Sequence, residues 1–309
     1  MEKIQIIENT PLQEVDDQFL KERNISLLVK REDLNHPYLS GNKWHKLKYN
    51  LEEAKKQDKD TLLTFGGAYS NHIYAVAAAG KLFNFKTIGI IRGEEHKPLN
   101  PTLSFAAENG MHLYYLDRVS YRKKESPEIL DKLEKIFGDF YLLPEGGSNK
   151  LAVKGCSEII NKINIDFDYI CCPCGTGGTF AGLVAGLNGN GYALGFAVLK
   201  GDSFLKLNVK TFLKSLDIDY LDNWDINLDY HFGGYAKFNK ELIDFVIRFT
   251  SLTQIPIEPI YTGKMLFGIY DLISKGFFKE GTKIVALHTG GLQGLQGLKK
   301  SKVWEKIIS

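Results

Sequence analysis

Short apolar runs alternate with longer amphipathic stretches along nearly the whole chain. The apolar runs predict strands at Ile25–Lys30, Thr61–Phe65, Lys86–Arg92, His112–Leu116, Tyr169–Cys172, Leu194–Leu199 and Lys283–His288. The amphipathic stretches predict helices near Lys46–Gln57, Asn71–Leu82, Pro101–Asn109, Pro127–Phe137, Leu151–Lys162, Phe180–Leu187, Lys240–Thr250 and Lys264–Lys275. This alternation indicates an α/β protein with helices on both faces of parallel sheets, and such sheets bind ligands at the carboxyl ends of their strands.

The composition is that of an ordinary globular protein. The 309 residues are 44% hydrophobic, which is sufficient for two lobes or one large α/β unit. Lys plus Arg (39) nearly balance Asp plus Glu (37), so the net charge of +2 does not favour nucleic acid or an anionic membrane as a partner. The sequence begins without an apolar leader and contains no apolar stretch of membrane-spanning length, and we therefore expect a cytoplasmic protein.

The cysteines do not suggest a disulfide framework, because Cys156 stands alone while Cys171, Cys172 and Cys174 crowd one strand end. Cys171 and Cys174 form a C-x-x-C pair. A zinc site would need a second pair of ligands at a suitable spacing, and the sequence offers none. We expect no metal here, and small soft side chains packed beneath a glycine loop.

The run Ser40-Gly41-Asn42-Lys43 stands where a polar loop gives way to a predicted helix. A lysine beside glycine and asparagine at a helix entrance is a candidate amine nucleophile, although most lysines are solvated surface charges. The charged segment Asp117–Lys132 is interpreted in that second way, as a solvated loop and helix face.

Two glycine-rich segments follow predicted strands and open predicted helices. In Gly66–His72 the glycines permit a sharp turn that exposes amides at the positive end of a helix, which suits a carboxylate or phosphate. Ser70 or Asn71 could also cap that helix, and capping does not exclude anion binding. In Cys174–Thr179 two hydroxyls and three glycines describe a phosphate cradle, although a glycine turn without a ligand stays open.

Taken together, these segments resemble the 1-aminocyclopropane-1-carboxylate (ACC) deaminase and D-cysteine desulfhydrase family. The resemblance runs in order through S-G-N-K at 40–43, K-L-K at 46–48, G-G-A-Y-S-N-H at 66–72, P-E-G-G-S-N at 144–149, C-G-T-G-G-T at 174–179, P-I-Y-T-G-K at 259–264 and H-T-G-G at 288–291. It implies a pyridoxal 5'-phosphate enzyme of fold type II, the tryptophan synthase β fold. It further implies a smaller α/β lobe over 47–156, a larger lobe over 1–46 plus 157–309, the cofactor in the cleft between them, and a homodimer.

The resemblance also assigns roles to individual residues. Lys43 matches the lysine that binds the cofactor aldehyde covalently, which requires a neutral amine. The other cofactor-binding residues would be Asn71, beside the ring hydroxyl, the phosphate loop Gly175, Thr176, Gly177, Gly178 and Thr179, and Thr262. The substrate would be bound by Ser70, Asn71, His72, Tyr235 and Tyr261. Catalysis would fall to Lys43, Ser70, Tyr261 and Tyr235, with released Lys43 or a Ser70/Tyr261 pair as the base.

The chain departs from the family pattern in two places. The family usually continues after the tyrosine matched by Tyr235 with a proline and an asparagine, whereas this chain reads Ala236-Lys237-Phe238-Asn239. Three bulky residues, Trp44, Tyr69 and His72, stand where better-known members have smaller or amide side chains, and they would narrow the pocket.

The residue at position 262 separates the two chemistries of the family. ACC deaminases typically have glutamate there, next to the pyridine nitrogen, and D-cysteine desulfhydrases have threonine. Thr262 therefore favours α,β-elimination from a small D-amino acid such as D-cysteine, because a neutral hydroxyl stabilises the ring charge less than a carboxylate. The alternatives are ACC ring opening to 2-oxobutyrate and ammonia, and a non-catalytic binder of a phosphorylated or carboxylated ligand.

Overall fold

The computed structural model describes residues 5–201, 203–218 and 221–295. Within those ranges the strands are β1 Leu12–Glu14, β2 Ser26–Lys30, β3 Thr61–Gly66, β4 Lys86–Arg92, β5 Met111–Leu116, β6 Tyr141–Leu143, β7 Tyr169–Cys174, β8 Tyr192–Ala197, β9 Trp224–Asn227 and β10 Lys283–Leu287. The helices are α1 Gln18–Lys21, α2 Asn42–Lys56, α3 Asn71–Phe83, α4 Pro101–Glu108, α5 Arg118–Arg122, α6 Pro127–Phe137, α7 Lys150–Ser157, α8 Gly178–Leu187, α9 Ser203–Lys214, α10 Lys240–Thr253 and α11 Thr262–Ser274.

The strands form two separate sheets. One has six strands in the order β1-β2-β10-β7-β8-β9, and the other has four in the order β5-β4-β3-β6. The pairings are parallel except for the antiparallel edge pair of β1 with β2. In the six-stranded sheet Lys30 is level with Leu287, and Cys174 is level with Ala197, so the loops after these strands open at one edge.

The core lies on both faces of each sheet. On β7, Ile170 and Cys172 pack on one face while Cys171 packs on the other. On β3, Leu62 and Leu63 divide in the same way between the two faces of the smaller sheet. Strands that are buried on both faces read as continuous apolar runs, which is why the hydrophobic pattern located them.

The predicted α/β class with parallel sheets is confirmed, and the predicted strands and helices are present with shifted ends. The elements that the pattern missed are β1, β6, β9, α1, α5 and α9, most of which span five residues or fewer. Helices α2 and α11 begin earlier than predicted, so Lys43 and Thr262 lie in first helical turns. Strand β8 lies two residues earlier than predicted and leaves Leu199 to line a cavity.

The four-stranded sheet is built from a continuous stretch, residues 61–143, whereas the six-stranded sheet combines strands from both ends of the chain. The division into lobes at 47–156 stays a proposal. No helix in the described ranges is long and apolar enough to cross a membrane.

Candidate active site

A cavity of about 1010 Å³ lies at the carboxyl ends of strands from both sheets. Its lining comes from the loops that follow β3, β7 and β10, from Arg92 at the end of β4, from the first turns of α2 and α8, and from α5. The predicted site residues that line it are Lys43, Ser70, Asn71, Gly175, Thr176, Gly177, Thr179, Tyr235 and Tyr261. Residues separated by more than 200 positions in sequence thus meet in one space.

A glycine turn positions Lys43 at the start of α2. Gly41 has φ +71°, and a Cβ atom there would lie 1.9 Å from the carbonyl oxygen of Thr289, so only glycine fits. The Gly41 N–H donates to the Glu32 carbonyl at 2.9 Å, and the Gly41 carbonyl accepts from Asn35 Nδ2 at 2.8 Å. The turn is therefore tied to the loop after β2 and to the loop after β10.

The Lys43 amine is held in a state suited to nucleophilic chemistry. Its Nζ donates to Asn42 Oδ1 at 2.9 Å. Burial, and after it the positive charge of Lys46, lower the pKa of Lys43 to about 7. A large fraction of this amine is therefore neutral near neutral pH, as covalent attachment to an aldehyde requires.

The glycine loop 174–179 is fixed by a chain of side-chain hydrogen bonds. Lys46 Nζ donates to Ser148 Oγ at 2.9 Å and to the Gly146 carbonyl at 2.8 Å. Ser148 Oγ lies 2.6 Å from Thr176 Oγ1, and Asn42 Nδ2 donates to Thr179 Oγ1 at 2.7 Å. Sequence reasoning gave Lys46 no role, yet it brings a buried cation beside the loop and lines the cavity.

Gly177 and Gly178 close the turn into α8. Gly177 has φ +87°, and a Cβ on Gly178 would lie 2.6 Å from Ser148 Oγ. No side chain caps this helix, so its first amides stay available at the positive end of the helix dipole. Gly178 itself is buried and does not line the cavity.

The start of α11 is capped by a carboxylate that sequence reasoning missed. Glu258, 1% exposed, accepts the backbone N–H groups of Ile260, Tyr261 and Thr262 at 2.6 to 3.0 Å. Burial raises the pKa of Glu258, and these three hydrogen bonds oppose that shift. Thr262 is fully buried, and its Oγ1 has no hydrogen-bond partner within the described part of the chain. Glu258 thus fixes the backbone of Thr262, while the Thr262 hydroxyl makes no hydrogen bond in the described structure.

Two tyrosines form one wall of the cavity. The rings of Tyr235 and Tyr261 meet edge to face with centroids 6.1 Å apart, and the Tyr261 ring lies against Gly175. Burial raises the pKa of both hydroxyls, and a hydrogen bond between them raises that of Tyr261 further. Both phenols are therefore protonated at neutral pH. The buried amine of Lys264 holds the loop before Tyr235 by donating to the Gly234 carbonyl at 2.8 Å.

The segment Gly66–His72 caps a helix, which is one of the two roles that the pattern suggested. Ser70 Oγ caps α3 by accepting the N–H groups of His72 and Ile73 at 3.2 and 3.3 Å. Asn71 Oδ1 accepts a hydrogen bond from Gln293 Nε2 at 2.5 Å. The His72 ring is buried against Gly147 and does not line the cavity.

Two expectations about the surroundings of the site are wrong. Of the three bulky residues expected to narrow the pocket, only Tyr69 lines it, because Trp44 stacks on Phe83 at 5.9 Å and His72 is packed elsewhere. The charged segment 117–132 is not merely a solvated face. Tyr121 is 2% exposed, and the cavity is lined by Arg118, Arg122 and Lys124 from the same segment.

The fold and this site define a pyridoxal-phosphate enzyme. Residues 4–290 match the model of the pyridoxal-phosphate dependent enzyme family, and the chain belongs to that family. The family and the solved structures that it resembles identify the fold as type II and the cofactor as pyridoxal phosphate. The non-catalytic alternative is therefore not retained, since the chain is an enzyme of this family.

Its relatives narrow the group within the family. The chain is 32% identical to a bifunctional D-cysteine desulfhydrase/1-aminocyclopropane-1-carboxylate deaminase of Arabidopsis thaliana, over 87% of this chain and 73% of that one. A crystal structure described as an ACC deaminase homologue superposes with TM-score 0.83 and 29% identity, covering 95% and 93% of the two chains. An L-serine ammonia-lyase of Rhizomucor miehei shares the fold alone, with TM-score 0.67 and 16% identity over 95% of this chain and 98% of that one. The resemblance read from the sequence is confirmed.

The residues present fit the cofactor. Thr262 is buried and does not line the cavity, but its unpartnered Oγ1 is chemically suited to a ring nitrogen. The glycine loop with its uncapped helix can hold a phosphate. Lys43, with its lowered pKa, can bind an aldehyde. Thr262 thus suits the ring nitrogen of pyridoxal phosphate, the glycine loop suits its phosphate, and Lys43 suits its aldehyde.

Proposed function

We propose that the enzyme catalyses α,β-elimination from a small D-amino acid such as D-cysteine. The balanced reaction takes D-cysteine and water to pyruvate, ammonia and hydrogen sulfide. The observation that carries the proposal is the fully buried, unpartnered hydroxyl of Thr262, where the ACC deaminases of the family typically have a carboxylate. A neutral partner leaves the ring nitrogen less positively charged than a carboxylate would, and elimination tolerates that better than ring opening.

When bound, pyridoxal phosphate supplies the electron sink for the carbon that loses its proton. The residues of the chain then orient and move protons. Lys43 Nζ, neutral in part at pH 7, accepts the proton from the α carbon of the amino acid. A base in position contributes roughly 10²–10⁴-fold to the rate.

The tyrosine pair supports departure of the β-substituent. Because the raised pKa values keep both hydroxyls protonated, Tyr235 can donate a hydrogen bond or a proton to the leaving sulfur while it accepts one from Tyr261. The Ser70 hydroxyl, whose oxygen accepts two amides of α3 and whose hydrogen can still donate, and the side chain of Asn71 supply polar groups for the substrate carboxylate.

ACC ring opening is the second candidate, in which ACC and water give 2-oxobutyrate and ammonia. The paired tyrosines on the cavity wall favour it, because a phenol beside the ring could act as or assist the nucleophile. The name of the Arabidopsis thaliana relative, which covers both activities, is compatible with either reaction.

The test is keto-acid release from D-cysteine, L-cysteine and ACC by purified enzyme. We expect pyruvate from D-cysteine, and 2-oxobutyrate from ACC as the sole product would overturn the proposal. Lys43→Ala should abolish both turnover and the yellow colour of the bound cofactor, whereas Lys81→Ala, an exposed lysine on α3, should change neither. A Lys43→Ala protein that kept its colour and turnover would refute the role of Lys43.

We also propose that the enzyme is a homodimer, as the family resemblance implies, and that it works in the cytoplasm, as the sequence pattern suggests. Sedimentation of the purified protein measures the mass directly. A single species of 34.9 kDa, the mass of one chain, would contradict the dimer.

A further inference from the structure

The cavity is far more cationic than the protein as a whole. The chain carries a net charge of only +2. Six lysines and arginines nevertheless line the cavity, and Glu145 is the one carboxylate among its lining residues in the described part of the chain. Lys43 and Lys46 belong to the cofactor side already described. Four cations on the opposite side have no role in the proposed reaction.

The one carboxylate, that of Glu145, already has two partners. Glu145 accepts a hydrogen bond from Tyr121 at 3.0 Å and forms an ion pair with Lys124 at 3.2 Å. Three arginines remain, Arg92, Arg118 and Arg122, which we call the arginine cluster. No ion pair or side-chain hydrogen bond joins any of the three guanidinium groups to another residue in the ranges that the structure describes, and Arg92 lies over the Tyr121 ring at 5.9 Å. Exposed guanidinium groups that line a cavity without an ion pair are available to an anion that arrives from solution.

Two members of the cluster lie next to the substrate loop. A guanidinium nitrogen of Arg92 lies 3.5 Å from the position of a Cβ on Gly67, which is in the same loop as Ser70. Arg118 Nε lies 4.0 Å from the corresponding position on Gly93, directly after Arg92. The charge of Arg92 also acts on the Tyr235 hydroxyl across the cavity. These contacts bring both arginines to the substrate side of the site.

A second, smaller space adjoins the same arginines. A cavity of about 310 Å³ shares Ala68, Tyr69, Arg92 and Arg118 with the main cavity. It is also lined by Tyr115, whose hydroxyl is buried without a hydrogen-bond partner in the described structure. Glu94 also lines this space, but no ion pair joins it to Arg92 or Arg118 in the described structure. The Tyr115 hydroxyl and the two guanidinium groups are therefore donors that still lack an acceptor.

We propose that Arg92 and Arg118 form a subsite for a second anionic group, carried on the side chain of the amino-acid substrate. The inference rests on the proposed function, which supplies the amino acid and its α-carboxylate. Carboxylate, sulfonate and phosphate share the chemistry that a guanidinium recognises, and D-cysteine lacks such a group. The preferred substrate is then an amino acid that carries a second anionic group in addition to its α-carboxylate.

The decisive test uses ligands that cannot react. Succinate and butyrate have the same number of carbons and differ by one carboxylate, and calorimetry on the cofactor-loaded enzyme measures both dissociation constants. We expect succinate to bind at least about tenfold more tightly than butyrate, because one charge-assisted hydrogen bond contributes a binding free energy of that size. The Arg92→Gln, Arg118→Gln double variant should lose that advantage and keep its affinity for butyrate.

Two controls accompany the double variant. Arg23→Gln removes an arginine outside both cavities and should keep the preference for succinate. Arg92→Lys retains the charge and should retain part of the preference. Equal affinity of the wild-type enzyme for succinate and butyrate would overturn the subsite, and so would a preference that survives the double substitution.

A third measurement separates this inference from the proposed function. O-phosphoserine and serine, each as both enantiomers, are titrated against the absorbance of the bound cofactor. The subsite predicts a response to one phosphoserine enantiomer at a concentration at least about tenfold below that for serine. If amino acids change the spectrum without preference for the anion, the subsite is wrong and the function stands. If succinate is preferred while no amino acid changes the spectrum, the function fails and the subsite stands.

Discussion

The two sides of the cavity differ in how firmly their charged groups are held. On the side that we call the lysine wall, formed by Lys43 and the loop 174–179, glycines with little free space and buried hydrogen bonds fix the backbone and side chains. On the other side the arginine cluster is exposed and has no carboxylate partner in the described structure. The wall proposed to hold the cofactor is therefore tightly packed, whereas the wall proposed to face the substrate side chain has charged groups without fixed partners.

The largest expected effect concerns the amine of the lysine wall. In cofactor-free enzyme mixed with pyridoxal phosphate, the rate of covalent attachment should rise with pH and level off above about 7, because only neutral Lys43 reacts. At pH 7 the neutral fraction exceeds that of an unperturbed lysine roughly a thousandfold. Stopped-flow absorbance at a series of pH values measures the half-point.

A second variant checks the cause of that low pKa. The charge of Lys46 is the second contribution after burial, so Lys46→Met should move the half-point to higher pH. A wild-type half-point close to the roughly 10.4 of an ordinary lysine would contradict the description of the lysine wall.

The rigidity of the lysine wall is tested by Gly41→Ala. The added Cβ would lie 1.9 Å from the Thr289 carbonyl, so we expect a loss of about 3 kcal/mol in the free energy of unfolding, with weaker cofactor binding. Gly276→Ala is the matched control, since its φ of +69° is similar and nothing lies within 4 Å. It should cost about 1 kcal/mol from backbone strain alone. If urea unfolding showed the same loss of unfolding free energy in Gly41→Ala and Gly276→Ala, close packing around Gly41 would not explain the loss.

Thr262→Val separates a cofactor contact from a structural one. Because Thr262 Oγ1 has no protein partner, we expect little change in the stability of cofactor-free enzyme and about tenfold weaker cofactor binding. Thr64→Val is the comparison, since Thr64 Oγ1 donates to the Leu143 carbonyl at 2.9 Å and its loss should cost about 1 kcal/mol. Unchanged cofactor affinity in Thr262→Val would show that this hydroxyl has another purpose.

The smallest expected effect lies on the opposite wall. Single substitutions Arg118→Gln and Arg122→Gln should change the free energy of unfolding by less than about 0.5 kcal/mol, because these exposed side chains have no ion pairs to lose in the described structure. Thermal unfolding monitored by circular dichroism measures this. A loss comparable to that of Gly41→Ala would mean that both walls are equally structural.

The hydrophobic pattern predicted the sheets because their strands are buried on both faces and therefore stand out as apolar runs. The glycine motifs predicted the lysine wall for a related reason, since close backbone approach restricts the residue type at Gly41 and Gly178. The arginine cluster escaped prediction, because an arginine directed into a cleft and one directed into solvent have the same local sequence. Arg92 ends a strand and Arg118 follows one, and this position was the available signal.

Glu258 and Lys264 were missed for a different reason. A buried charge is rare, and nothing in the neighbouring residues shows that backbone groups will satisfy it. Glu258 is satisfied by three amides of its own helix entrance, whereas Lys264 bonds carbonyls at 198, 231 and 234, which only the folded chain brings together.

The placement of β10 between β2 and β7 bears on how the enzyme forms during synthesis. The four-stranded sheet has all its strands once residue 143 has left the ribosome, and it can fold as a unit from contiguous chain. The six-stranded sheet lacks a central strand until residue 287, and β2, which pairs locally only with the short β1, must wait for its parallel partner more than 250 positions away. The Gly41 turn packs against Thr289, so the first turn of α2, which carries Lys43, gains its final support only after residue 289 has been synthesised. With Lys43 in its proposed role, a nascent chain shorter than this would lack the turn that positions the amine for the cofactor.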